Sequence, residues 1–146
     1  MATGIVAGYG TLASIAARFL YPSRKTEENW QFLATLDSIR AGQSMIYQTP
    51  GGAKVVVARR QAADLAESFV ALSSVCPHLG CAVHWESQNN RFFCPCHNGA
   101  FDPSGTATEG PPASANQSLE RFPLKVQDGL LYIAISSEPL TRRAES

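Results

Sequence analysis

The fold is decided by two short segments, Cys76-Pro77-His78-Leu79-Gly80-Cys81 and Cys94-Pro95-Cys96-His97-Asn98-Gly99. Together they contain all four cysteines and two of the three histidines of the chain. Each segment offers one cysteine and one histidine as a pair, together with one further cysteine. The pairs are Cys76 with His78 and Cys94 with His97, and the further cysteines are Cys81 and Cys96. Glycine and proline occur in both segments, which predicts loops rather than strand interiors.

The pattern of these residues restricts the metal chemistry. Cysteine sulfur suits zinc or iron–sulfur clusters, and imidazole suits zinc or iron. A structural zinc site usually takes a pair of cysteines followed by a pair of histidines, whereas this chain alternates Cys-x-His and Cys-x2-His. A mixed pair in each loop fits a two-iron cluster with cysteines on one iron and histidines on the other. The two further cysteines can bridge each other.

The two segments resemble the cluster-binding loops of Rieske iron–sulfur proteins. The resemblance implies one 2Fe-2S cluster per chain, in which Cys76 and Cys94 bind one iron. His78 and His97 would bind the other iron and take part in the redox chemistry. A structural zinc site, or two plain disulfides with unrelated histidines, are the alternative interpretations of these residues.

The further cysteines and several neighbours extend the resemblance. Cys81 and Cys96 match the pair that forms a disulfide between the loops in the cytochrome bc complex branch; Rieske ferredoxins and ring-hydroxylating oxygenases lack that pair. Other residues match positions that support the loops, namely Leu79, Gly80, Gly99, Gly110, Pro111 and Pro112. In the family, the segment matching Gly110–Pro112 covers the cluster from a third side, and a stiff surface turn is the alternative.

Composition excludes one class of function. The chain has 146 residues, enough for one domain, and 12 basic residues balance 12 acidic ones. No basic patch stands out, so nucleic acid is not an expected partner. The charged fraction is 16%, against about 25% in an average soluble domain. Such a low fraction suits a chain that is partly buried in lipid or in partner subunits.

The N-terminal segment is apolar. Residues 4–21 carry small or apolar side chains except for Arg18, and about 17 to 25 such residues span a bilayer. We therefore predict a single transmembrane anchor helix over residues 1–21. A secretory signal peptide, a soluble amphipathic helix and the end of a longer anchor are alternatives. The signal peptide is disfavoured because no basic residue precedes the apolar run.

The polar residues 22–29 predict a tether, with an ordinary linker as the alternative, and residues 30–146 are predicted to form the head domain. Basic residues at the C-terminal end of the anchor would leave the head in the cytoplasm by the positive-inside rule. The family instead places the head on the outer, periplasmic side of the cytoplasmic membrane. A disulfide requires an oxidising compartment, so the cysteine pair favours the outer side.

Short strands with frequent turns predict a mainly β, antiparallel head, and the resemblance implies small stacked sheets. The predicted strands are Met45–Gln48, Lys54–Arg59, Ser68–Ser73, Ala82–Trp85, Arg91–Phe93, Arg121–Val126 and Leu130–Ile135. Asp128-Gly129 suits a tight hairpin turn, and residues 61–66 are predicted to form a turn or a short helix. The third histidine, His84, is predicted to be a surface or packing residue.

The resemblance implies an electron-transfer subunit of a quinol–cytochrome c oxidoreductase-type complex. Its partners would be a cytochrome b-type subunit, a c-type cytochrome acceptor and quinol, within a dimeric membrane complex. His97 would contact quinol beside His78, and Leu79 would form part of the apolar tip that docks on cytochrome b. The small Rieske subunit of a molybdenum oxidase such as arsenite oxidase, and a soluble Rieske ferredoxin, are the alternative functions.

Two positions, one at the end of the second segment and one just after it, indicate a low reduction potential of the cluster. High-potential members of the family carry Ser and Tyr where this chain has Gly99 and Phe101, and both hydroxyls donate hydrogen bonds to sulfur. Donors to sulfur stabilise the extra negative charge of a reduced cluster, so their absence lowers the potential. We therefore expect a potential in the lower half of the range of about −150 to +300 mV, which suits menaquinol better than ubiquinol.

Overall fold

The computed structural model describes residues 2–20 and 28–136. The chain divides into two compact units, one containing the N-terminal helix and the other spanning Glu28–Ser136. Helix α1 runs from Ala2 to Leu20, where alanine favours helix. None of the helices in these residues combines the length and the apolar character that crossing a membrane requires. The helix is present, but the predicted transmembrane span is not confirmed.

The second unit contains ten strands in three antiparallel sheets. The strands are β1 (Glu28–Thr35), β2 (Ser44–Gln48), β3 (Lys54–Arg59), β4 (Phe69–Ser73), β5 (His84–Glu86), β6 (Arg91–Cys94), β7 (Gly99–Phe101), β8 (Ala107–Glu109), β9 (Leu124–Gln127) and β10 (Leu130–Ser136). The strand orders are β1-β10-β9, β2-β3-β4 and β5-β6-β7-β8. One short helix, α2 (Pro111–Ser114), follows β8. The predicted mainly β, antiparallel class is confirmed.

The sheet β2-β3-β4 is packed on both faces, which explains the unbroken apolar run of β3. Successive side chains of a strand point to opposite faces. Val55 and Val57 lie in one core together with β1 and β10. Val56 and Ala58 lie in a second core together with β6 and β7. The four-stranded sheet that carries the second cysteine-rich segment is thereby fixed against the middle of the domain.

Three predicted boundaries were wrong. The strand predicted from Ala82 begins only at His84. Glu28 and Asn29, predicted to end the tether, begin β1 and pair with Ser136 and Ile135 of β10. The rest of the predicted tether, residues 22–27, lies outside the described residues. The strand predicted from residue 121 begins only at Leu124, because the preceding proline has no N–H to donate to a sheet.

The predicted hairpins are otherwise confirmed. β2 pairs with β3, β5 with β6, and β9 with β10. Asp128 and Gly129, which join β9 to β10, both have positive φ angles of 52° and 75°, as the tight hairpin turn requires. Residues 61–65 form bends, and a single turn of 3-10 helix follows at Ala66–Ser68.

Candidate metal centre

The first cysteine-rich segment leaves the end of β4 as a closed loop. The backbone N–H of Cys76 donates to the carbonyl of Cys81 at 2.8 Å, and that of Gly80 donates to the carbonyl of Cys76 at 2.9 Å. Gly80 has a φ of 77°, a conformation that glycine adopts without steric cost. The two bonds hold His78 and Leu79 at the outer end of the loop, where Leu79 is 69% exposed.

The second segment forms the turn between β6 and β7. Cys94 ends β6 and pairs directly with Gly99, the first residue of β7. The four residues between them make the connection, and Asn98 takes a φ of 53°, which asparagine tolerates better than most residues. Both segments are thus loops between strands, as predicted, although Cys94 and Gly99 themselves belong to strands.

The four predicted iron ligands lie in two layers. Cys76 and Cys94 are buried in the second core, at 3% and 2% exposure. The rings of His78 and His97 lie edge to face with their centroids 5.0 Å apart. His97 is exposed and His78 is half-buried. The two cysteines are thus more deeply buried than the two adjacent imidazoles; a mixed-ligand two-iron cluster takes sulfur ligands on one iron and nitrogen ligands on the other.

Two backbone donors face the Cys76 sulfur. The pKa of the Cys76 thiol is raised overall, because burial raises it most and the adjacent Cys94 thiol raises it further, while the backbone N–H groups of His78 and Leu79 lower it in part. A thiol bound to a metal is deprotonated outright. The two N–H groups are then already placed to donate to the charged sulfur.

Cys81 and Cys96 form the disulfide that the resemblance implies, with an S–S distance of 2.10 Å. Their sulfurs and the sulfur of Cys94 lie within 4.8 Å of one another. This group is no site for a metal ion, because two of its three sulfurs are bonded to each other. The bridge instead joins the two loops directly beside a buried candidate ligand.

We expect the double variant Cys81→Ser/Cys96→Ser to lose about 3 kcal/mol of unfolding free energy. The bridge closes a loop of 15 residues, and closing such a loop restricts the unfolded chain by about that amount. Denaturant titration of the oxidised protein measures the loss. The variant should be indifferent to added reductant, whereas the wild-type protein should be destabilised by it; equal responses of the two proteins would contradict the expectation.

The segment Gly110–Pro112, which was predicted to cover the cluster, lies against the second loop. Gly110 has φ 75° and ψ −170°, and a Cβ built on it would lie 2.8 Å from the carbonyl oxygen of Asn98. A Cβ on Gly99 would lie 3.1 Å from Cγ of Pro112. Glycine at both positions therefore allows the backbone of one segment to approach the other. Pro111 begins the short helix α2, where its missing N–H costs nothing.

The sequence interpretation missed one residue that touches the first loop. Gln117 lies beyond α2, and its side-chain Nε2 donates to the carbonyl oxygen of Pro77 at 3.3 Å. A lone glutamine 40 residues from that proline belongs to no ligand motif. His84, by contrast, is an exposed residue outside both cysteine-rich segments, with its ring edge-on to Phe93, as predicted.

The fold and the two loops define a class of protein: a three-sheet β domain in which two disulfide-linked loops each carry one further cysteine and one histidine, the residue types that hold a mixed-ligand iron–sulfur cluster. Residues 29–125 match the profile of the Rieske [2Fe-2S] domain. The chain therefore belongs to the Rieske family, and its cofactor is a Rieske-type 2Fe-2S cluster.

Two individual relatives and one solved structure are similar to this chain. The chain is 44% identical over 70 residues to the menaquinol:cytochrome c reductase iron-sulfur subunit of Bacillus subtilis, a match that covers 46% of this chain and 41% of that subunit. It is 28% identical over 134 residues to the cytochrome b6-f complex iron-sulfur subunit of Chlorobaculum tepidum, covering 91% of this chain and 69% of that one. A chain of a solved hyperthermophilic respiratory Complex III is 28% identical, with a TM-score of 0.53, and the match covers 89% of this chain and 94% of that chain.

Proposed function

We propose that this chain is the Rieske electron-transfer subunit of a quinol-oxidising cytochrome bc-type complex. The observation that carries the proposal is the pair of adjacent histidine rings, in two loops that also carry two buried cysteines and are joined by the Cys81–Cys96 disulfide. The relatives named as subunits of quinol-oxidising and cytochrome complexes support it. The chain would contribute to the activity of the whole complex as its one-electron carrier.

The ligand set proposed here is Cys76 and Cys94 on one iron, with His78 and His97 on the other. When bound, the cluster supplies one-electron chemistry. The residues fit it because both sulfurs are buried while the two imidazoles close the surface side. In the second core, apolar side chains including Phe92 surround the thiols and keep water away from them.

His97 is the proposed contact for quinol. Its ring is exposed, so the nitrogen that does not bind iron can accept a hydrogen bond from a quinol hydroxyl and take its proton. His78 is half-buried beside it and completes the surface. The exposed Leu79 adjoins His78 and supplies an apolar contact for a cytochrome b-type subunit. Proton acceptance by a histidine at the same place as electron uptake would couple the two transfers.

The proposed setting is the outer side of the cytoplasmic membrane. The disulfide requires an oxidising compartment, and a quinol donor is lipid-soluble. We propose a dimeric complex in which residues 22–27 tether the head to the N-terminal segment and the head passes electrons to a c-type cytochrome. In this proposal the head begins at Glu28, the first residue of the compact unit.

The potential is proposed to be low, in the range that menaquinol can reduce. Phe101 is fully buried in the second core and has no donor. Pro112 covers the backbone of Gly99, so a side chain at Gly99 would have to displace the proline ring by a few tenths of an ångström. Both positions at which high-potential relatives place a hydroxyl are therefore filled by apolar groups.

We expect Phe101→Tyr to raise the reduction potential by roughly 40 mV. The added hydroxyl would donate to a cysteine sulfur, and a hydrogen bond is worth about 1 kcal/mol net, which corresponds to that shift at about 59 mV per tenfold change. A redox titration of the cluster-loaded protein measures it. The control is Phe122→Tyr, which adds a hydroxyl in the other core and should leave the potential unchanged. A potential that falls or stays constant in Phe101→Tyr would contradict the explanation.

Native membranes provide the test of the function. We expect the dithionite-reduced membranes to give a Rieske EPR signal whose shape changes when an inhibitor occupies the quinol site of cytochrome b. A signal that ignores the inhibitor and disappears when the membranes are washed would overturn the proposal in favour of a subunit of a soluble oxidase. Zinc in place of iron would overturn the ligand assignment as well.

A further inference from the structure

Gln117 connects the segment after α2 to the first cluster loop. Its backbone is fixed, because its N–H donates to the carbonyl of Pro112 at 2.9 Å and its carbonyl accepts from the N–H of Ala107 at 3.2 Å. Its half-buried side chain reaches across, and Nε2 donates to the carbonyl oxygen of Pro77 at 3.3 Å. Pro77 lies between Cys76 and His78, which are two of the proposed iron ligands. The side chain therefore acts on the backbone of the ligand loop itself.

The orientation of this amide is determined by its partner. Turning it over would place Oε1 against the Pro77 oxygen, and two acceptors cannot bond. Oε1 is instead buried and has no hydrogen-bond partner within residues 2–20 and 28–136. A buried acceptor without a donor destabilises the fold. Gln117 thus presents a donor to Pro77 at a cost in stability, which a residue selected for packing alone would not incur.

One peptide group connects the hydrogen bond at Pro77 to the sulfur of Cys76. The carbonyl of Pro77 and the N–H of His78 belong to the same peptide unit. That N–H is directed at the Cys76 sulfur as a hydrogen-bond donor. Hydrogen bonds in a chain polarise one another, so a donor on the carbonyl strengthens the N–H as a donor. Stronger donation to a ligand sulfur favours the reduced cluster and raises its potential.

We propose that Gln117 is a positioning residue that raises the reduction potential of the cluster by hydrogen bonding to the Pro77–His78 peptide group. The inference rests on the proposed assignment of Cys76 as a ligand. By this inference, a residue in a third segment, outside both ligand loops, influences the reduction potential. Gln117 partly offsets the loss of donors at positions 99 and 101.

The variant Gln117→Met separates this role from packing, because methionine has a similar length and adapts its shape but lacks the donor. We expect the reduced-to-oxidised ratio at a fixed ambient potential to fall about threefold, which is roughly 28 mV at 59 mV per tenfold change. The melting temperature should stay constant or rise, since the unpaired Oε1 is removed. A lower potential together with a constant or higher melting temperature would identify Gln117 as a residue that tunes the potential.

The full cluster-loaded chain is used throughout, with Gln88→Met as the matched control. Gln88 is exposed in the turn between β5 and β6, and its substitution should change neither quantity. An unchanged potential in Gln117→Met would overturn the inference, and so would a lower potential accompanied by a lower melting temperature, which indicates a loosened loop. Absence of a Rieske EPR signal from the wild-type protein would instead overturn the ligand assignment and the inference with it.

Discussion

Replacing Cys94 with serine is expected to remove the 2Fe-2S cluster completely, from one cluster per chain to none. Cys94 is 2% exposed and lies in the second core beside Cys76. A serine hydroxyl is a harder ligand than a thiolate and does not deprotonate near neutral pH, so it cannot replace the sulfur. Iron and acid-labile sulfide per chain, together with the EPR signal of the reduced protein, measure the loss.

The chain offers a matched control for this substitution. The double variant Cys81→Ser/Cys96→Ser makes the same chemical change at two sulfurs that lie within 4.8 Å of the Cys94 sulfur. Because those sulfurs form the disulfide, the variant is expected to lose stability but to bind the cluster with the four proposed ligands. Full cluster content in Cys94→Ser, or its complete absence from the double variant, would show that the sulfur ligands are assigned wrongly.

The histidines provide the second half of the same prediction. His97→Ala should give no Rieske signal, because it removes a nitrogen ligand from the surface side of the cluster. His84→Ala is the control, since His84 is exposed, packs edge-on to Phe93 and lies outside both cysteine-rich segments. A protein that keeps the Rieske signal without His97 would exclude it as a ligand, and the proposed quinol contact would then have to be found elsewhere.

The ligand loops were predictable because their chemistry is local. Each carries its own cysteines and histidine, with proline and glycine, within six residues, so neither loop requires information about the rest of the fold. The strands β3 and β4 were predictable for a similar reason, since apolar runs of four residues near turn signals indicate buried strands. The disulfide pairing came from the resemblance, because four cysteines alone allow three connectivities.

Long-range pairing was not predictable in the same way. Glu28 and Asn29 are polar and precede the first apolar residue, so the sequence resembles a linker there. They belong to β1 only because β10 lies alongside and supplies hydrogen-bond partners about a hundred residues further along the chain. Gln117 escaped notice for the same physical reason. A single amide has no local signature, and its contact with Pro77 exists only after both segments have folded.

Gly110→Ala is expected to lower the unfolding free energy by about 3 kcal/mol and to release the cluster. The backbone of Gly110, at φ 75° and ψ −170°, lies in a region that is essentially restricted to glycine and costs other residues about 1–3 kcal/mol. A Cβ would also lie 2.8 Å from the carbonyl oxygen of Asn98 and 3.0 Å from Cα of Gly99. The segment at Gly110–Pro112 would have to move away from the second loop, opening the cluster to water.

Gly129→Ala is the control that separates the backbone strain at positive φ from the close contact of the added Cβ. Gly129 has the same φ of 75°, but a Cβ added there would meet no heavy atom of the described residues within 4 Å. Alanine at this position should therefore cost only the backbone strain of about 1–2 kcal/mol. Denaturant titration and the loss of visible absorbance over time measure stability and cluster retention in both variants. If Gly110→Ala loses much more stability and much more cluster than Gly129→Ala, close contact between Gly110–Pro112 and the second loop retains the cluster. Equal losses in both variants would mean that the cover contributes no more than an ordinary turn.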